Sequence, residues 1–136
     1  LITVNVSSES PETAARLADE IAEQYRVQQL EEKFEATRKA TEWLSAEAKN
    51  GLAGPLTAAV PYLHLAVTVC GGWMMGKAAL AAAGYLDKGE GDQTFYRAKI
   101  ATAHFYADQM LPLATSYGVT VQAGAATLAA LTDDML

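Results

Sequence analysis

The chain opens with a short alternating pattern and continues into a long uninterrupted one. In the stretch LITVNV the apolar residues alternate with polar ones, which predicts a short strand. Ser10 is a suitable helix N-cap, and Pro11 suits the first helical position. Since neither Gly nor Pro follows until after Lys49, we expect one long helix from Pro11 to about Lys49.

The second half of this long helix carries a narrow apolar seam. Its spacing of four and three residues in turn is typical of a helix that packs against one partner helix. The charged residues around the seam predict a solvated outer face. The seam consists of Leu30, Phe34, Thr37, Thr41, Leu44 and Ala48.

Proline and glycine divide the remaining chain into further helices. Pro61 predicts the start of a second helix over the run PYLHLAVTVCGGWMMGKAALAAAGYL, and DKGEGD predicts a loop. Asp92 is positioned to cap a third helix from Gln93 to Leu111. One face of that helix is predicted from Phe95, Ala98, Thr102, Phe105 and Gln109, which recur at helical spacing.

The last helix is predicted from the alanine-rich end of the chain. Pro112 should kink or restart the third helix, and Tyr117 with Gly118 should end it. GAATLAAL then favours a helix over roughly residues 119–131. The pattern therefore predicts an all-α fold, a bundle of about four helices with a long first helix and a short N-terminal strand.

Charge divides the chain near residue 50. Residues 1–50 contain ten of the sixteen acidic residues and six of the ten basic ones. We therefore expect two parts, residues 1–50 as a strand plus a long helix and residues 51–136 as an apolar helical bundle.

The net charge of −6 argues against nucleic-acid binding. Since the chain begins with Leu1 and shows no cleavable signal, we expect an excised domain.

Between Lys49 and Lys77 no residue carries a formal charge at neutral pH. A run of this length is compatible with a transmembrane helix. Pro55, Pro61 and several glycines interrupt it, which favours a loop and a helix start over a membrane span.

Gly71, Gly76 and Lys77 nearly reproduce the spacing of a phosphate-binding loop. The position that should supply a hydroxyl for magnesium is Ala78. We favour helix packing instead, because Gly72 and Gly76 form a flat stripe that lets another helix approach closely. Trp73 supplies bulk beside that stripe.

Catalytic and metal-binding patterns are weak throughout. His64 and His104 are the two histidines, and neither has a partner at the spacing of a helical metal pair. Cys70 is the single cysteine and has no base signature nearby. We therefore predict no catalytic, cofactor-binding or metal-binding residue in this segment. The predicted packing or interface residues are Gly72, Gly76, Trp73, Phe105, Leu30 and Phe34.

Several short pieces stand out along residues 51–136. They are Pro61-Tyr62-Leu63, Gly71-Gly72-Trp73, Lys99, Ala101-Thr102-Ala103, Phe105-Tyr106-Ala107, Leu111-Pro112 and Gly124. In their order and spacing these pieces resemble the extra C-terminal domain of the larger acyl-CoA dehydrogenases, a family that often has an A-T-x-W-L helix similar to the ATRKATEWL stretch from Ala36. His64 and His104 stand where that family commonly has basic residues.

This resemblance implies a role beside a flavin enzyme. Acyl-CoA dehydrogenases oxidise an acyl-CoA to the 2,3-enoyl-CoA with FAD and a catalytic glutamate, which belong to domains that precede this one. The implied function is a non-catalytic helical module that packs on those catalytic domains, in a cytoplasmic protein, and that touches acyl-CoA only indirectly.

Residues 1–50 resemble bacterial polysaccharide chain-length determinant proteins, in which a strand precedes an extended helix. The matching positions are Val6, Ser8, Pro11, Ala14, Ala15, Ala18 and Asp19. This resemblance implies the alternative function, a structural fragment of an inner-membrane envelope protein that self-associates through its helices. A joint of the two families, natural or constructed, would account for both resemblances, and both alternatives stay open at this point.

Overall fold

A computed structural model describes the backbone of residues 11–124 and residue 126, with side chains from residue 28 onward in that range. The described residues are almost entirely helical, which confirms the predicted all-α class. The predicted N-terminal strand lies outside the described residues. In chain order the elements are α1 (Pro11–Glu47), α2 (Ala53–Lys88), α3 (Gln93–Phe105), a π-helical turn (Tyr106–Met110) and α4 (Leu113–Ala123).

The long first helix is present as α1, two residues shorter than predicted. It ends in a turn in which Lys49 N–H donates to the carbonyl of Ala46 over 3.2 Å. Gly51 follows with a φ of 139°, a backbone conformation that favours glycine. The turn reverses the chain into α2, so that α1 and α2 pack side by side.

The second helix begins eight residues earlier than predicted, and Pro61 lies inside it. Pro55 is tolerated because it lies in the first turn, where backbone N–H groups have no partner within the helix. Pro61 removes one hydrogen bond, the one that the carbonyl of Thr57 would accept. The helix continues through this point because Ala58 and Leu65, on either side of Pro61, are buried in the core against α1 and α4.

The end of α2 and the start of α3 follow the sequence signals closely. Gly89 adopts the left-handed conformation that ends a helix, and its N–H donates to the carbonyl of Leu86 over 3.1 Å. The predicted cap of α3 is confirmed, because Asp92 Oδ1 accepts hydrogen bonds from the N–H of Thr94 at 2.9 Å and of Phe95 at 3.1 Å.

Of the predicted boundaries after α3, the restart of the helix at Pro112 is confirmed, whereas the predicted end at Tyr117 and Gly118 was wrong. The helix widens at its end into a π-helical turn, where Leu111 N–H donates to the carbonyl of Tyr106, five residues back, over 3.0 Å. A new helix, α4, begins after Pro112. It runs through Tyr117 and Gly118, where we expected an end, because Gly118 is buried beside Ala36 of α1.

The predicted last helix therefore overlaps α4 only up to Ala123. Gly124 ends α4 with a φ of 59°, and residues 127–136 lie outside the described part of the chain. The predicted four-helix bundle, which counted a helix over residues 119–131, stays a prediction in that form.

The core lies where α1, α2 and α4 meet. It is built largely from small side chains, which let helix axes approach closely. Trp43, Leu44, Tyr62 and Tyr117 close its edges. The buried members are Ala40, Ala58, Leu65, Val69, Ala114 and Val121.

Candidate functional site

The run that resembles a phosphate-binding loop lies in the interior of α2. Backbone N–H groups inside an α-helix bond to the carbonyl four residues back and are not available to cradle a phosphate. The ammonium of Lys77 lies 4.6 Å from the centre of the Trp73 ring, a cation–π contact on the helix surface. The geometry of this segment is that of a packed helix and not of a nucleotide-binding loop.

Gly72 is buried at the point where α2 meets α1 and the π-helical turn. A β-carbon at this position would lie 2.8 Å from Cδ1 of Leu111 and 3.3 Å from Cδ2 of Leu30. Leu111 is 2% exposed and is therefore confined on all sides. One turn further on, Gly76 has space, since a β-carbon there would lie 3.7 Å from Leu30 Cδ1.

Tyr106, which sequence reasoning assigned to no site, holds the π-helical turn against the middle of α2. Its hydroxyl donates a hydrogen bond to the carbonyl oxygen of Thr68 over 3.0 Å. A β-carbon on Gly71 would collide with the same hydroxyl, so that glycine makes room for the tyrosine. Burial, and to a smaller extent an electrostatic contribution from the nearby Cys70, raises the pKa of Tyr106 above its ordinary value of 10.0.

The six residues predicted to pack or form an interface separate into two groups. Leu30, Gly72 and Gly76 meet at the contact between α1 and α2, with Leu30 half-buried. Phe34, Trp73 and Phe105 are 43%, 47% and 63% exposed, respectively. Their role as interface residues stays a prediction.

A small pocket lies beside Gly72, with a volume of about 10 Å³, room for about one water molecule. Tyr106 contributes the only side-chain hydroxyl in its lining, and that hydroxyl is already bonded to Thr68. The pocket is lined by Leu30, Gly72, Gly76, Ala103, Tyr106, Ala107 and Leu111. This lining offers no acid, base or metal ligand.

The other titratable groups of the described residues do not assemble into a reactive centre. His64 stacks on Tyr117 with ring centroids 5.3 Å apart. His104 lies half-buried in the last turn of α3. Within residues 28–124 no three His, Cys, Asp or Glu side chains come together in a way that could hold a metal ion.

The outward side of α2 is apolar over most of its length. Six of its residues recur at alternating intervals of four and three, so they form one continuous stripe along the helix. We call this stripe the α2 outer face. It consists of Leu56, Val60, Leu63, Val67, Cys70 and Met74, all of them exposed to solvent.

The outward side of α1 has the opposite character. Arg38 forms an ion pair with Glu35 at 2.6 Å and another with Glu42. The hydrogen bond from Arg38 holds the pKa of Glu35 below its ordinary value, although both side chains stay largely in water. The domain therefore has a charged, solvated α1 side and an uncharged α2 side.

By length and composition, α2 is apolar enough to cross a membrane. The core helices of soluble proteins meet the same criterion, and 33% of the most apolar window of α2 is buried inside this fold. Thus α2 has a packed inner side and an exposed side, the α2 outer face.

Comparison with known proteins places this helical arrangement in a family. Residues 9–132 match the family described as Acetyl-CoA dehydrogenase C-terminal like. The chain belongs to this family. The match spans every described helix, from α1 to α4, so the predicted resemblance to an acyl-CoA dehydrogenase C-terminal domain is confirmed.

A curated relative supports the same assignment. The chain is 50% identical over 52 residues to the 3-methylmercaptopropionyl-CoA dehydrogenase of Ruegeria pomeroyi. This segment spans 38% of the chain and 9% of the relative. The family match also includes most of residues 1–50, so the predicted boundary near residue 50 and the second resemblance stay predictions.

Proposed function

We propose that this chain is the non-catalytic C-terminal helical module of an FAD-dependent acyl-CoA dehydrogenase and that it packs on the catalytic domains of that enzyme. The observation that carries the proposal is the family match over residues 9–132. The dehydrogenase relative supports it over a shorter segment. The substrate class we propose is an acyl-CoA thioester, and the compartment is the cytoplasm.

The described side chains do not fit a flavin site. The pocket beside Gly72 has a volume of about 10 Å³, far below the usual range of ligand pockets, which begins near 300 Å³. Its lining offers no positive charge for a pyrophosphate, and its single hydroxyl already donates to Thr68. FAD, which would accept the hydride in the proposed enzyme, is therefore assigned to the catalytic domains.

The described carboxylates are likewise unsuited to act as the catalytic base. Glu35 and Glu42 are paired with Arg38 on the solvated side of α1. Asp92 accepts two backbone hydrogen bonds as the cap of α3. A base that removes a proton next to a thioester must reach the substrate in a site that excludes water, and these groups are in solvent or engaged in structure.

The experiment is to purify the natural polypeptide that carries this chain and titrate it with acyl-CoA under anaerobic conditions. The proposal predicts a yellow protein whose visible absorbance bleaches on addition of acyl-CoA, because the flavin is reduced. A colourless polypeptide that contains this intact domain and does not oxidise acyl-CoA would contradict the proposal.

A further inference from the structure

The α2 outer face is unusual for a surface that stays in water. Leu56 is 71% exposed, Val60 62%, Val67 61% and Met74 59%. No formal charge interrupts the sequence between Lys49 and Lys77. Solvated helix faces normally alternate polar and charged residues, so this face has the composition of a buried surface.

The size of this face is close to what a docked domain requires. At roughly 100 Å² for each large side chain, the face offers on the order of 600 Å², the upper end for a patch on a monomer. Paired with an equal area, it would bury about 1,200 Å² in total. This lies in the middle of the range for domains docked within one chain and at the lower limit for a stable association of separate proteins.

A second copy of this chain fits the face poorly. In an antiparallel pair of α2 helices centred on Leu63, Lys77 of one copy would approach the beginning of α2 in the other copy, near Lys49. Parallel pairing would set two Lys77 side chains next to each other. No acidic residue occurs between Glu47 and Asp87 to offset this repulsion, and Glu47 packs against Gly54 on the inner side of α2.

A lipid surface fits the face poorly as well. Helices that lie in the membrane interface carry basic residues beside their apolar face, which attract anionic lipid headgroups. This chain has a net charge of −6, and Lys77 is the only base in the sequence between Lys49 and Lys88. A membrane span would require α2 to leave α1, α3 and α4, against which its inner side packs.

We propose that the α2 outer face docks on the catalytic part of the same dehydrogenase polypeptide, with Cys70 buried in the contact. This inference rests on the proposed function and specifies the surface by which the module is held. The matched segment spans 9% of the dehydrogenase relative, a protein with ample further chain to supply the opposing surface. Within one polypeptide the effective concentration of that surface is high, so an interface of this size suffices.

Cys70 provides the measurement, since it is exposed on the α2 outer face of the domain alone. The experiment uses the natural full-length polypeptide, treated with iodoacetamide under native conditions and again in urea. Trypsin cleaves after Lys49 and Lys77, so the peptide of residues 50–77 reports Cys70 without interference from other cysteines. We expect native alkylation at least about tenfold slower than in urea, because the thiol reacts only when the domains open.

Two exposed valines supply a matched pair of variants. Val67 lies on the α2 outer face and is 61% exposed, whereas Val119 lies on α4 and is 67% exposed. Val67→Asp should restore rapid alkylation of Cys70, because a charge would be buried in the contact. Val119→Asp should leave Cys70 protected. Leu63→Asp, also on the outer face, should repeat the effect of Val67→Asp.

The outcomes separate this inference from the proposed function. Rapid native alkylation in a yellow, acyl-CoA-reducible protein would overturn the docking inference and leave the proposed function intact. Protection that grows with protein concentration would assign the face to a second copy, and protection that requires phosphatidylglycerol vesicles would assign it to a membrane. Each of these two results would overturn the inference. Equal protection in the Val67→Asp and parent proteins would also contradict it.

Discussion

The close contact at Gly72 gives the sharpest test of how this domain is packed. We expect Gly72→Ala to be less stable than Gly76→Ala, although the two positions are one helical turn apart on α2. The higher helix propensity of alanine should add about 1 kcal/mol to the free energy of unfolding in each variant, because alanine replaces a glycine inside a helix. The difference between the two variants therefore isolates the packing cost.

The magnitude follows from the surroundings of each added methyl group. At Gly76 the new carbon lies at an ordinary contact distance of 3.7 Å from Leu30, so the propensity gain is kept. At Gly72 it lies 2.8 Å from Leu111, which is 2% exposed and cannot move without displacing its own neighbours. Such overpacking costs about 1–3 kcal/mol. We expect the two free energies of unfolding to differ by this amount.

Thermal unfolding followed by circular dichroism measures the difference, with Gly84→Ala as a reference. Gly84 has no atom within 4 Å of an added β-carbon, so its variant reports helix propensity alone. For a domain of this size 1 kcal/mol corresponds to about 3–4 °C in Tm. If Gly72→Ala melted together with Gly76→Ala and Gly84→Ala, the close-packing argument would be wrong.

Three further predictions concern the cap of α3 and the tyrosine at the π-helical turn. Asp92→Ala should lower the free energy of unfolding by about 1 kcal/mol in urea titrations, because two backbone N–H groups lose their acceptor. The control variant Asp87→Ala, in the last turn of α2, should not lower the free energy of unfolding. Tyr106→Phe should cost about 1 kcal/mol through loss of the hydrogen bond to Thr68, and an unchanged urea midpoint would contradict that role. The pKa of Tyr106 is raised above 10.0 in the folded protein, so its contribution to stability should be constant at lower pH and decline as pH rises above 10. Urea titrations at a series of pH values should show this decline in the parent protein and not in Tyr106→Phe.

Local signals in the sequence predicted the features that depend on a few neighbouring residues. Asp92 caps α3 as expected, because the cap requires only its own side chain and two nearby N–H groups. The loop before it follows from Gly89 and Gly91, which both adopt positive φ. The long α1 follows from the absence of any glycine or proline between its first residue, Pro11, and Gly51.

Features that depend on packing between distant helices were not predictable in the same way. Pro61 lies inside α2 because the residues on either side of it are buried in the core against α1 and α4. Gly118 continues α4 because it provides space beside Ala36, and a glycine before a break looks the same in sequence. The π-helical turn depends on the bond between Tyr106 and Thr68, 38 residues apart.

The sequence indicated which residues share the α2 outer face but not that this side of the helix is exposed. The uncharged run between Lys49 and Lys77 and the four-and-three spacing from Leu56 to Met74 were both readable. Spacing indicates which residues share a side of the helix but not which side faces the core. The structure assigns Leu65 and Val69 to the inner side and leaves the Leu56–Met74 stripe exposed.

The central claim is that this domain serves a flavin-dependent acyl-CoA dehydrogenase, and anaerobic titration of the natural polypeptide with acyl-CoA tests it most directly. We expect a flavin absorbance that bleaches as acyl-CoA is added, with formation of the enoyl-CoA. A polypeptide that contains the folded domain, carries no flavin and leaves acyl-CoA unchanged would contradict it.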